Sequence, residues 1–261
     1  MKGRPMSSSL ETEQQLREAV DALLTPRRRA AQPSTVRYEE RGRFDSVYGP
    51  VAYWSSGTGP PVLLVHGWEG THTDLDAFVE PLLARGARVV TLDLPAHGES
   101  AGTQAGIPDF AAAIVAFGAL VGPLAGTIAH SVGCPAVALA IGGGLRVERA
   151  VFVATPTRYE RWAREFAREG GIDGDALVAA LVARGIDVPS LDLVKNVADF
   201  ELPGLLVHSA DDRVTDARGS RAVAAAWRGS RLLCVDGLGH ARILRDPAVV
   251  AEAARFVLPS H

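Results

Sequence analysis

Two cysteines, Cys134 and Cys234, are all that the 261 residues contain, and they form neither a C-x-x-C pair nor a metal-ligand spacing. A disulfide scaffold and a thiolate metal site are thereby excluded, and both are read as small buried hydrophobes. No run of about 18 apolar residues occurs, which excludes a bilayer-spanning helix. The opening MKGRPMSSSLETEQQLREAV has no apolar core of the kind a signal peptide needs, so the expected compartment is the cytoplasm. Neither sign of charge dominates: the formal net charge is −3 and the sequence pI about 6.2. Nucleic acid and anionic membrane surfaces are therefore poor partners. Lysine is confined to Lys2 and Lys195, a bias of composition without chemical consequence. There is no H-E-x-x-H, no glycine-rich phosphate loop, no internal repeat and no low-complexity tract. Gly142–Gly144 follow a helical pattern and serve to end it. No metal and no cofactor is expected.

What is present is the profile of a globular chain, 47% hydrophobic and 22% charged. From about residue 44, short β-branched runs alternate with longer Ala-rich helical patterns. This predicts an α/β fold with a mainly parallel sheet flanked by helices. The strand candidates are Val47–Trp54, Val62–His66, Arg88–Asp93, Thr127–His130, Ala150–Ala154, Leu205–His208 and Leu232–Val235. Two segments break the alternation. Residues 1–35 carry Leu10, Leu16, Val20, Leu23 and Leu24 at helical spacing, then Arg27–Arg29 and Pro33, and read as a packed helix followed by a solvated charge cluster. Residues 157–200 swell one strand-to-strand connection into a helical lid placed before the acid-bearing strand. The core then comprises residues 36–156 and 201–261.

A serine hydroxyl becomes a nucleophile only with a base in reach, an acid that fixes the base's tautomer, and N–H donors aimed at the developing oxyanion. In GTIAHSVGCPAVALA a strand runs through Ala129-His130-Ser131-Val132-Gly133 into an Ala-rich helix, the sequence of a nucleophile elbow with Ser131 at its tip. Ala129 replaces the first glycine of G-x-S-x-G, and the alternative is that Ser131 only caps the helix. Upstream, PPVLLVHGWEG puts His66-Gly67-Trp68 after an apolar strand, and DLPAHGES closes the next one. With GLGHARILRDP near the end, these motifs resemble the α/β-hydrolase superfamily over roughly residues 44–258, and look like a bacterial subgroup of small hydrolases. The resemblance implies that the backbone N–H groups of Trp68 and Val132 form the oxyanion hole. The Trp68 side chain either lines a pocket or touches substrate. Glu69 would oppose an oxyanion if it pointed inward, so it is expected to face solvent or an arginine.

In LPGLLVHSADDRVTD the strand Leu205–His208 runs into Asp211-Asp212, where the resemblance implies the acid of a triad. The D-R-V spacing favours Asp212, with Asp211 as the alternative. His240 lies in a Gly-flanked loop after the last strand, completing the chain order Ser131, Asp212, His240. The other histidines have structural readings: His66 and His97 brace turns, His130 leads into the elbow, His208 ends a strand, and His72 and His261 lie at the surface. Tyr159, Trp162 and Phe166 recur at helical spacing in the lid and are expected, with Trp68, to line a pocket for an uncharged acyl group. The function expected is hydrolysis of a small carboxylic ester, thioester or lactone through an acyl-enzyme. Amide or C–C hydrolysis and perhydrolysis would use the same residues. Serine at the elbow, where epoxide hydrolases and haloalkane dehalogenases of this fold have aspartate, argues against those reactions. A non-catalytic sensor on the same fold, or a scaffold that uses the N-terminal helix, are the alternatives from other classes. The oligomeric state is not specified by the sequence.

Overall fold

The structure, a computed structural model, describes residues 6–29 and 32–259. His261 and the side chain of Leu10 lie outside the described residues. The chain opens with helix α1 (Met6–Leu24) and a hairpin of β1 (Glu40–Ser46) and β2 (Gly49–Ser56). Next come β3 (Pro61–Val65), a 3-10 turn over His72–Phe78, α2 (Val79–Leu83) and β4 (Arg88–Leu92). The central units are α3 (Ile107–Val121), β5 (Gly126–His130), α4 (Gly133–Gly142) and β6 (Ala150–Val153). A helical insertion follows, with α5 (Tyr159–Glu169), α6 (Gly174–Ala183) and the short α7 (Leu193–Asn196). The chain then completes β7 (Gly204–Ser209), α8 (Ala217–Ala226), β8 (Ser230–Val235), α9 (Gly239–Arg242) and α10 (Pro247–Val257).

The eight strands form one sheet in the order β1-β2-β4-β3-β5-β6-β7-β8. Pairing is antiparallel at β1–β2 and β2–β4 and parallel from β4 onward. Parallel strands covered on both faces read as continuous apolar runs, and β3 shows why. Leu63 and Val65 pack into one layer with α3 and α4, while Val62 and Leu64 pack into the other with α2 and α10. The hairpin arm β1 was not predicted. Its sequence ERGRFDS buries only Phe44, as a charged edge strand can, so it offers no apolar run to read. On the opposite edge, Cys234 is exposed rather than buried, since β8 has no neighbouring strand on its outer flank. Cys134, on α4, is fully buried.

His72 corrects another expectation: it is 5% exposed, not superficial. Its ring stacks on Trp54 with centroids 3.5 Å apart, and Asp93 Oδ1 lies 3.0 Å from its Nδ1 and 2.7 Å from its backbone nitrogen. Those partners come from two strands, β2 and the end of β4, which only the folded sheet brings to this turn. Among the described residues no helix is long and apolar enough to cross a membrane.

Candidate active site

In a parallel sheet the loops that follow the strands open on one rim, and ligands bind there. The loops after β3, β5, β7 and β8 carry Trp68, Ser131, Asp212 and His240. Ser131 holds φ at +51°, a left-handed conformation that costs a non-glycine residue about 1–3 kcal/mol and persists only where its surroundings enforce it. They do so here. The Ser131 N–H donates to Val153 O at 2.9 Å. A methyl placed on Gly133 would sit 2.6 Å from His66 O and 2.9 Å from Val65 O, so the helix after the serine can start only with glycine. Ala129, in contrast, is fully buried in the core without conflict, so a methyl in place of the first glycine is accommodated.

Around Asp212 four donors and a buried imidazole converge on one carboxylate. His240 Nδ1 lies 2.8 Å from Oδ2. Since a carboxylate can only accept, Nδ1 carries the proton and Nε2 is the basic nitrogen. Thr215 Oγ1 donates to Oδ2 at 2.8 Å, and the N–H groups of Val214 and Thr215 donate to Oδ1 at 2.8 and 3.0 Å. Beside them lies His208, fully buried, whose Nε2 is 3.3 Å from Oδ2 and 3.2 Å from Thr215 O. Burial alone would raise the Asp212 carboxyl, but hydrogen bonds from His208, His240 and the two backbone amides outweigh it and hold the group well below the carboxylate range. Asp211 does something else. It accepts from Ser209 Oγ and, at 3.0 Å, from the Gly239 N–H, tying the histidine loop to the end of β7. That hydrogen bond to Ser209 is the largest influence holding its carboxyl low. Neither His208 nor Thr215 was singled out from sequence for this role. The spacing His208-x-x-x-Asp212-x-x-Thr215 is their only trace there.

The turn after β3 is braced by two imidazoles, as read from the sequence. The Leu94 N–H donates to His66 Nε2 at 3.0 Å, which leaves Nδ1–H to donate to Gly67 O at 2.7 Å. Likewise the Glu69 N–H donates to His97 Nε2 at 3.0 Å while His97 Nδ1 bonds Pro95 O at 2.9 Å. Both rings are neutral by this count. Burial, reinforced by the neighbouring His66, pushes His97 down to about 4. His130, beneath the elbow, bonds His240 O at 3.0 Å and is pushed down to about 3 by burial and by His240. The loop seats against the elbow so closely that a methyl on Gly67 would come within 3.0 Å of Ser131 Cβ. Glu69 turns away from the serine to an arginine, Arg27, one of the two directions expected of it.

Ser131 and His240 share a cavity of about 260 Å³ with Trp68, Val132, Tyr159 and Trp162, walled further by Ile107, Leu191 and Val214. Phe166 is not part of that wall. It lies one helical turn beyond Trp162, ring centroids 6.5 Å apart, half-buried against the core, because a turn of α-helix advances about 5.4 Å and carries it past the opening. The centre of the buried face of α5 is instead Tyr159, Ala163 and Ala167. Among the described residues no three His, Cys, Asp or Glu side chains are grouped to hold a metal ion.

The family model of the Alpha/beta hydrolase family matches residues 62–253. A pimeloyl-[acyl-carrier protein] methyl ester esterase of Xanthomonas campestris pv. campestris is 28% identical over 248 residues, covering 77% of this chain and 96% of that protein. Among solved structures, an esterase of Pyrococcus furiosus superposes with a TM-score of 0.70 at 16% identity, over 90% of this chain and 98% of its own. A bromoperoxidase of Bacillus anthracis gives 0.66 at 19% identity, over 85% and 100%.

Proposed function

The chain belongs to the Alpha/beta hydrolase family, and from that premise we propose that it is a carboxylesterase-like serine hydrolase acting through an acyl-enzyme on Ser131. Asp212 holds the imidazole of His240 with its proton on Nδ1, so Nε2 takes the Ser131 proton as Oγ attacks the ester carbonyl. The backbone N–H groups of Trp68 and Val132 receive the oxyanion. As the tetrahedral intermediate collapses, His240 returns the proton to the leaving alcohol; in the second half it deprotonates water, which releases the acid and frees the serine. The observation that carries this reading is the 2.8 Å contact between His240 and Asp212 on the same apolar cavity as a serine in a strained elbow.

The cavity walls of Trp68, Tyr159 and Trp162 suit an uncharged, apolar acyl group. Residues 157–200 serve as the lid over it, residues 1–35 as an N-terminal extension, and residues 36–156 with 201–261 as the core. The Xanthomonas relative is named for a methyl ester of a carrier-bound acyl chain, and the shared chemistry taken over here is the carboxylic ester. The test is a series of p-nitrophenyl esters of increasing acyl length, with a fluorophosphonate probe, on wild type and Ser131→Ala. Turnover and labelling at Ser131 are expected in wild type, with kcat reduced about 10⁴-fold or more in Ser131→Ala. Tight ligand binding without turnover or labelling would make the protein a sensor instead.

A further inference from the structure

The segment between α1 and the hairpin lies outside the residues matched to the family, yet it touches the loop on which the proposed oxyanion hole depends. Leu23 and Leu24 bury the end of α1 in the core, and α1 packs on α6, where Asp21 and Arg184 pair at 3.2 Å. The chain leaves that anchor with two arginines aimed at the site loops. Arg27 donates from Nε and Nη2 to both carboxylate oxygens of Glu69 at 2.9–3.1 Å, and its backbone N–H adds a bond of 3.1 Å to the same group. Arg28 donates from its two terminal nitrogens to Gly98 O and Gly102 O, each at 2.7 Å. The basic run is exposed to solvent, yet two of its arginines are bound to the site loops.

Glu69 directly follows Trp68 and holds φ at +55°, an unfavourable conformation for a side-chain-bearing residue. Two contacts keep it there: its N–H bonds His97 and its carboxylate is forked by Arg27. The fork also neutralises an anion one residue from an amide that has to face a developing negative charge. We propose that Arg27, through Glu69, is a positioning residue for the oxyanion loop, so that the N-terminal strap sets the aim and the electrostatic environment of the Trp68 N–H. This rests on the hydrolase reading above. An exposed ion pair contributes little to stability, so the effect belongs in turnover.

The experiment measures kcat, KM, fluorophosphonate labelling rate and melting temperature for wild type, Arg27→Ala, Arg27→Lys, Glu69→Gln and the double variant Arg27→Ala/Glu69→Gln. Losing one oxyanion donor outright costs about 10²–10³ in kcat. Loosening it in Arg27→Ala should cost about 10-fold in kcat and in labelling rate, with KM and melting temperature nearly unchanged. Lysine keeps the charge but not the fork and should recover part of the loss. The double variant should be faster than Arg27→Ala, because it removes the unpaired carboxylate. Wild-type turnover in Arg27→Ala, or a double variant slower than both single ones, would overturn the positioning role while leaving the hydrolase reading intact. A wild type that neither turns over nor labels would overturn both.

Discussion

The loops after β3 and β5 and the helical insertion over 159–196 face the same cavity but are held in place by opposite means. In the loops, His66, Gly67, His130 and Ser131 are buried, the backbone departs from ordinary conformations at Glu69 and Ser131, and almost every turn ends on an imidazole or a carbonyl. In the insertion, α5 keeps Tyr159, Ala163 and Ala167 inside and spends its outer face on Glu160–Arg164 and Arg161–Glu165 pairs. Such exposed pairs contribute little to stability. Under the proposed hydrolase reading, the first region is a rigid frame for charge and proton transfer. Under the same reading, the second is an apolar cover whose details can vary without disturbing the frame.

The contrast is most easily broken at the carboxylates, where the largest effect is expected. Asp212→Asn removes the acceptor that selects the His240 tautomer and should cut kcat by up to about 10⁴-fold with the fold preserved. Asp211→Asn should leave kcat within about threefold, as a surface substitution that keeps an oxygen for Ser209 and Gly239. Measuring both on one ester decides the assignment, and an inactive Asp211→Asn would move the acid by one residue.

A smaller effect is expected from acid, and it should arise in the frame. His97 and His130 are held at about 4 and 3, well below the ordinary imidazole value of about 6.5. A histidine whose folded pKa is depressed binds its proton first in the unfolded chain. Its contribution is intact above about pH 6.5 and is lost as pH falls from there towards the folded values. For each ring this amounts to about 2 kcal/mol by pH 5. Urea midpoints at pH 7.5, 6 and 5 should fall accordingly; a flat profile would mean that these rings are not held neutral.

The smallest effect belongs to the cover. Trp162→Ala opens the cavity wall and should shift the preferred acyl length, each additional buried methylene contributing about 0.8 kcal/mol, or roughly fourfold in kcat/KM. Phe166→Ala should lower the melting temperature and leave the chain-length profile unchanged. A profile that moves with Phe166 and not with Trp162 would invert the assignment of that helix.

Legibility divides along the same line. The α/β architecture, seven of the eight strands and the serine elbow were readable because each is a local demand. A two-faced strand has to be apolar throughout, and a helix has to begin with glycine where a methyl on its first residue would come 2.6 Å from a neighbouring carbonyl. Edge strand β1 was not, since its charged sequence buries only Phe44 and offers no apolar run. Nor were the contacts of His72 with Trp54 and Asp93, of His208 with Asp212, or of Arg27 with Glu69. By itself the sequence determined where the apolar strands run, where the serine elbow sits and which faces of its helices are apolar. Only the tertiary structure decided that Tyr159 and Trp162 face the cavity and Phe166 does not, and that a basic run near the N-terminus forks a carboxylate 42 residues away. The physical reason is that a local pattern fixes dihedral angles and the side of an element that seeks burial, whereas a pairing across the molecule depends on where the whole chain has carried each partner.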